Sequence, residues 1–593
     1  GAHTLKIGTN NTFTNVKNLF WLLGNGIYSF DSLEEFENGD VDNYFRLERG
    51  DVESPFDDMD LSEYSFYVQD EWQLNDKAML TLGLRYETDV FETQAIESDI
   101  FLDTYGQFGL ANSTVPEDRN NWSPRVALTI DPRGDATAVF RAGFGLFHGN
   151  TPLVLHGNVL QSEVPLLSLN CFGDDAPPPD YAFFRQDPTG GNNPTSCVGG
   201  GALGGLPEFT VWDSDFENPE TWKVNFGYEQ ITDAGWRWSA DFLAGRTSNN
   251  FNVINLNQRG CDPSSIVAGA GIDCEPIFRT AVDNRPVFVA QGDFDRFDPS
   301  SSRIIENPDF QFVYLNESTA ESRSFSLNLR GGKVFDNGAR IDLSYTFNDV
   351  KDNSSFFCCT SNEGFRIRPT AGDPNFIGDR GDENEGTWGP ADFERKHVWI
   401  VSGGFEAPWG IDISGIWRSQ RGRPFTLTVN GDVNGDGETF NDRAPVFDDL
   451  EFEDAEDAAT WASWLSGGGG DNEAFECLRD QRGGIATRNA CHNPWFHSVD
   501  MHISKAFLFA NGQEIEFIAD LFNVLNGLND DWGRLVGFSA GATGLTNQPL
   551  SKEGYNEDTN KVIYSIRSQF GDERIIGFDP FQFQAQLGFR YRF

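Results

Sequence analysis

The chain of 593 residues has no long apolar run. Its longest uninterrupted stretch of strongly apolar side chains is Leu19–Leu23, whereas a membrane-spanning helix needs about 20 such residues. Mean hydropathy is negative. No segment of these residues can cross a bilayer as a helix, so insertion into lipid would require a closed β-barrel, the other architecture that satisfies every backbone group there. Basic residues are scarce as well. Lys and Arg number 44 against 91 Asp and Glu, a net charge of −47, which excludes nucleic acid as a partner because that needs a basic footprint. Paired His ligands, a phosphate loop and a dinucleotide fingerprint are all missing. Gly537–Gly541 (GFSAG) matches a nucleophile elbow, but it lies in a Gly-rich loop without the strand–turn–helix setting and His partner that chemistry requires. No enzyme is expected. The chain does not open on a signal peptide: Gly1–Asn10 already reads as a strand, so the start looks like a processed or truncated boundary.

Aromatic residues are abundant, at 14%, with 53 Phe and 62 Gly. Their arrangement is clearest at the C-terminus. In Phe581–Phe593 (FQFQAQLGFRYRF), Phe581, Phe583, Ala585, Leu587, Phe589, Tyr591 and Phe593 share one face of an extended strand. Gln582, Gln584, Gln586, Gly588, Arg590 and Arg592 share the other. The same rhythm recurs in pairs joined by short turns. Leu61–Leu74 meets Leu80–Tyr86 through Asn75-Asp76-Lys77. Trp122–Ile130 meets Ala138–Phe147, and Trp222–Tyr228 meets Trp236–Phe242. Phe325–Leu329 meets Ile341–Phe347 across Asp336-Asn337-Gly338, a strong hairpin signal. His397–Ala407 meets Ile411–Arg423, and His497–Phe509 meets Glu514–Asn526 through Ala510-Asn511-Gly512. Leu5–Thr14 and Phe20–Phe30 form a weaker first pair. Opposite the apolar stripes lie Arg85, Glu87, Arg125, Arg141, Lys223, Glu229, Arg330, Arg340, Asp342, Glu514, Glu516, Arg590 and Arg592. Charges in this number cannot share a dry core; they suit a wet lumen or a surface packed on a polar plug.

Between hairpins the connections are long, about 30 residues at 31–60 and 91–120 and longer thereafter. Short turns at one end and long loops at the other predict an all-β, antiparallel transmembrane barrel with long extracellular loops. All eight Cys fall in those loops: Cys171 and Cys197, Cys261 and Cys274, Cys477 and Cys491, and the adjacent Cys358 and Cys359. Loops that carry two Cys each predict local disulfides made outside the reducing cytosol; the pairing of Cys358 and Cys359 stays open. A zinc site at Cys491-His492 with His497 is a competing reading. The acidic residues are concentrated too. Asp448–Asp457 holds seven Asp or Glu without a Lys or Arg, and Asp31–Glu63 is strongly acidic too. Such runs read as solvated loops, with divalent cations, a cationic substrate or a saline habitat as the sharper alternatives.

One acidic segment carries a metal-binding pattern. Asp432, Asn434, Asp436, Gly437 and Glu438 begin a D-x-N-x-D-G calcium loop, in which alternate side-chain oxygens turn toward one centre. The twelfth position is Arg443 instead of Glu, with Asp442 as a substitute ligand. No cofactor is required; a structural Ca2+ is the expectation from this loop.

Several motifs in order support a family resemblance. Tyr67–Trp72 (YVQDEW) followed by Thr81–Glu87 (TLGLRYE), then Asn120–Pro132 and Val139–Pro152, resemble the barrel of TonB-dependent outer-membrane transporters. Ala391–His397 (ADFERKH) and Gln420–Phe425 (QRGRPF) are similar to the Oar-like branch, and Glu516–Asn526 (EFIADLFNVLN) resembles the segment near the end of such barrels. The resemblance implies a Gram-negative outer membrane, a barrel of about 22 strands and an N-terminal plug. It implies energy from a TonB complex acting through a segment before that plug. It also implies an assembly signal for the barrel assembly machinery at Phe589, Tyr591 and Phe593. Plug and TonB-contacting segment have no counterpart here, and residues 1–593 read as one barrel domain. About 15 strands are legible, the first running inward from outside, and an odd count predicts missing strands. Three functions stay open: active uptake of a bulky scarce nutrient (a metal chelate, oligosaccharide or peptide), a passive porin or secretion channel, and a surface adhesion or structural protein. Substrate identity is not legible.

Overall fold

Six short turns close hairpins at one end of a single antiparallel sheet, and long connections leave from the other end. The computed structural model describes residues 1–19, 23–49, 57–161, 166–186, 193–202, 204–262, 273–294, 306–355, 388–437, 439, 441–510, 512–538, 546–576 and 582–593. Fourteen long strands form the wall in chain order: His3–Asn18, Asp57–Asn75, Ala78–Phe91, Trp122–Ile130, Ala138–His148, Glu220–Ile231, Trp236–Asn255, Val313–Val334, Arg340–Asp352, His397–Ala407, Ile411–Gln420, Phe496–Leu508, Glu514–Phe522 and Gln584–Arg592. Two short outriders, Phe209–Trp212 and Gly389–Pro390, bring the sheet to 16 strands.

The turns follow from their residues. Gly338 sits at φ +79°, a left-handed conformation that glycine adopts without cost, and Asn337 accepts the Ala339 N–H on its side chain. At 131–137 the Asp131 carboxylate accepts the N–H groups of Gly134 and Ala136. Register then holds each apolar residue opposite another. Phe226 faces Phe242, Phe242 faces Leu327 and Leu327 faces Phe347, one row across four strands. A slip of one residue would move every such side chain to the polar face.

The first hairpin differs from the expectation. His3–Asn18 pairs directly with Asp57–Asn75. Among the described residues of Phe20–Phe30, Ile27–Ser29 is a strand, and it joins Asn43–Arg49 and Leu166–Phe172 in a small sheet at the long-loop end. Gly26 before it sits at φ +75°, and Tyr28 packs its ring on the buried Tyr44 at 4.6 Å. Among the described residues this hairpin adds one wall strand where two were expected. The wall path holds fourteen strands, and His3 and Arg592 both lie at the short-turn end, beside Trp72 and Glu514. The first strand runs from the short turns toward the long loops, opposite to the direction expected. Among the described residues no pair joins the first wall strand to the last.

Apolar burial is concentrated away from the wall. The largest cluster unites Val287, Val289 and Phe294 with Phe425, Leu427, Val429, Val433, Val446, Trp461, Leu478, Phe538 and Tyr564, drawn from three of the long loops. Smaller clusters form around Phe101 and Phe310, and around Leu155 and Trp212. The acidic run contributes here. Asp454 caps the helix Ala455–Leu465 by accepting from Glu456 and Asp457 N–H, and Asn472 caps Glu473–Asp480. Side-chain oxygens at that position satisfy otherwise orphaned N–H donors, and acidic first turns favour the helix dipole. Together these loops build a roof.

Candidate functional site

Alternation along each wall strand sends one set of side chains to each face. One face is apolar and uncovered: Phe66, Phe144, Trp238, Phe405 and Phe517 are each 50–56% exposed. Five wide apolar stripes of this kind would associate in water; they fit a hydrocarbon solvent.

The opposite face carries ion pairs between strands and along them. Lys6 meets Glu71 at 2.5 Å, Arg85 meets Glu87 at 2.7 Å and Arg141 meets Glu229 at 3.3 Å. Farther round lie Arg418–Asp500 at 2.5 Å, His502–Asp520 at 2.6 Å, Arg590–Glu516 at 3.0 Å and Arg592–Glu514 at 2.6 Å. Arg125 and Lys223 both lie over the Phe147 ring, at 4.3 and 5.0 Å. Gly145 makes room for this: a Cβ there would stand 3.0 Å from Arg125 Cγ and 3.2 Å from the Pro124 carbonyl. Pairs this accessible to water contribute little to stability. Their consequence is chemical: a continuous polar lining for water, a polar solute or a polar domain.

Buried arginines fasten the roof. Arg285 is fully buried, with Nε 3.0 Å from Asp283, Nη1 3.1 Å from Asp442 and Nη2 donating to the Arg443 carbonyl at 2.6 Å. Burial opposes its charge, but Asp283 and Asp442 outweigh that and raise its pKa. Arg488 donates to the Asp352 carboxylate at 2.6 Å, the Asp352 carbonyl at 2.7 Å and Ser355 Oγ at 2.8 Å. This ties the loop after Gln420 to the top of the wall strand Arg340–Asp352. Neither arginine stood out in the sequence. The available signal was scarcity, since a cation in acidic loops has carboxylates to bury against.

The residues singled out from sequence lie as follows. Cys171–Cys197 and Cys477–Cys491 are disulfide-bonded, and a two-residue ladder sets Cys261 opposite Cys274. Cys358 and Cys359 lie outside the described residues, as do Glu438 and the Ser of the GFSAG motif, residue 539. The zinc reading fails because Cys491 is consumed by its disulfide. Asp432 folds over its own loop, Oδ1 accepting from Gly435 and Asn434 N–H at 2.5 and 3.2 Å and Oδ2 from Gly437 N–H at 3.0 Å. Asn434 and Asn441 both donate to Asp436 Oδ2, at 3.2 and 2.9 Å. Asp442 turns instead to Arg285 and the Val433 N–H. Phe589, Tyr591 and Phe593 lie exposed along the apolar face of the last strand, Phe593 at 99%.

The model of the outer membrane beta barrel domain family matches residues 1–531. The chain belongs to that family. This outer-membrane β-barrel therefore sits in the outer membrane of a Gram-negative bacterium, its apolar face toward lipid and its roof at the long-loop end. Among solved structures it is similar to the outer membrane transporter YddB from Escherichia coli, at 12% identity and a TM-score of 0.44, over 88% of this chain and 48% of that one. It is similar to the FrpB iron transporter from Neisseria meningitidis, at 8% identity and 0.39, over 88% and 48%. A ferric enterobactin receptor from Pseudomonas aeruginosa matches at 9% and 0.38, over 97% and 53%. The chain spans about half the length of these proteins. No curated protein matches it.

Proposed function

We propose that this outer-membrane β-barrel is the wall and roof of an active transporter for a bulky, scarce nutrient (a metal chelate, oligosaccharide or peptide), driven by a TonB complex. The observation that carries this reading is the polar face. Paired charges such as Lys6–Glu71, Arg141–Glu229 and Arg590–Glu516 recur from the first wall strand to the last, a lining suited to a polar plug and a polar solute. The ordered motifs Tyr67–Trp72, Thr81–Glu87, Ala391–His397 and Gln420–Phe425 support the transporter family over other barrels. Whole-cell uptake with and without the proton-motive force is the test: uptake that persists after its collapse would overturn active transport.

The passive channel is the second reading, favoured by the water-accessible ion pairs along the polar face. Steady ion conductance across a planar bilayer containing the complete protein would support it. Assembly by the barrel machinery through Phe589, Tyr591 and Phe593 accompanies both readings. Deletion of Phe593 is expected to reduce the heat-modifiable folded form in outer membranes, and normal yield of that form would reject the signal.

A further inference from the structure

We propose that Asp432, Asn434, Asp436 and Asn441, in the roof, are the side-chain ligands of a calcium site. Asn441 carries the argument beyond the sequence pattern. It is fully buried, its Nδ2 donates to Asp436 Oδ2 at 2.9 Å, and its carbonyl oxygen Oδ1 has no hydrogen-bond partner among the described residues. An acceptor removed from water and left unpaired is costly, and here it belongs to an amide that lies against a carboxylate only 1% exposed. A hard divalent cation beside Asp436 satisfies that oxygen, taking oxygen ligands from carboxylates and amides together.

The remaining ligands fit the same ion. Asp432 Oδ1 accepts two backbone N–H groups of the loop and Oδ2 one, so Oδ2 keeps lone-pair capacity for a metal. Gly435 and Gly437, at φ +73° and +91°, let the chain fold round the centre. The amides of Asn434 and Asn441 converge on one oxygen of Asp436. Turning either amide over exchanges its N for its O at the same place. Two cations nearby are engaged elsewhere: Arg285 with Asp283 and Asp442, and Lys552 with the main-chain oxygens of Asp432 and Phe294. The loop also donates structure to its surroundings, since the Asn434 carbonyl accepts the Phe288 N–H at 2.8 Å. Calcium binding is thereby coupled to the stability of the roof.

The test uses full-length protein taken from the outer membrane in detergent, stripped with chelator and titrated with CaCl2 by calorimetry, with thermal unfolding followed in parallel. Wild type is expected to bind calcium and to unfold at higher temperature in its presence. D436N is expected to bind at least about tenfold more weakly. N441D guards against a variant that merely misfolds. Without calcium it should unfold earlier than wild type, because it places a second carboxylate beside Asp436. With calcium it should recover by a larger shift than wild type shows. D448N, in the acidic run away from the loop, should behave as wild type. Absence of a calcium-dependent shift in wild type, or equal shifts in wild type, D436N and N441D, would overturn the site.

Discussion

The wall and the roof solve the same physical problem in opposite ways. Both must satisfy polar groups and hide apolar ones, but the wall has lipid for a solvent on one face and water on the other. It leaves Phe517 and Trp238 uncovered and keeps its ion pairs wet. The roof has water outside only, so it buries Trp461, Phe538 and Tyr564 among its own loops and draws Arg285 and Arg488 in with them. Wall stability therefore rests on register and on the surrounding membrane. Roof stability rests on a few interior contacts that have no substitute.

Breaking one interior contact should produce the largest difference between the two. Arg285→Met leaves the carboxylates of Asp283 and Asp442 buried without their cation, a loss of about 3–5 kcal/mol. Protease should then cut the loops while the heat-modifiable wall survives; loops as resistant as wild type would contradict the contrast. Phe517→Arg attacks the wall instead, placing a charge on the lipid face at a cost of about 2–4 kcal/mol near the midplane. Refolding titrations into lipid vesicles should show that loss, whereas the equivalent change at the polar-face Gln586 should show almost none.

A pH series sharpens the comparison further. His156, in the roof helix Leu153–Gln161, is buried, donates Nε2–H to the Thr93 carbonyl at 2.9 Å and packs on Phe91 at 4.4 Å. Burial holds its pKa below the ordinary 6.5, only partly offset by the bond to Thr93. The unfolded chain then takes up a proton first, so the His156 contribution is complete above pH about 6.5 and falls as the pH drops below it. Loop proteolysis should rise between pH 7 and pH 5 in wild type and rise less in His156→Phe. The smallest effect is expected on the wall's wet face: Arg590→Ala removes the Glu516 pair and should cost about 0.2–1 kcal/mol, less at high salt. A larger, salt-independent loss would mean that this face is packed against something dry.

Hairpins were legible because both of their determinants are local. A period of two and a turn such as Asp336-Asn337-Gly338 need no distant partner, and Arg340–Asp352 lies where that pattern puts it. The same locality misled at Phe20–Phe30. An apolar run with some alternation cannot show whether its partner is the neighbouring wall strand or Tyr44 in the roof; Ile27–Ser29 pairs with the strand that carries Tyr44. The strands Trp236–Asn255 and Val313–Val334 also ran longer than the alternation suggested. The upper end of the second, Val313–Asn316, is buried at every position, so the two-sided pattern disappears there where the lipid ends. In the candidate calcium loop the spacing of Asp432, Asn434 and Asp436 was plain, but Asn441 was not, because an unpaired oxygen is a property of packing.

By itself, the sequence determined the fold class, the two faces, the end that carries the loops and the loop placement of the cysteines. Each depends on residues a few positions apart or on composition. Tertiary structure alone decided which strand follows the first, which loops share a core, and that Asp442 answers to Arg285, 157 positions away in the chain. Those choices depend on which groups are excluded from water together, and exclusion from water is settled only when distant segments meet.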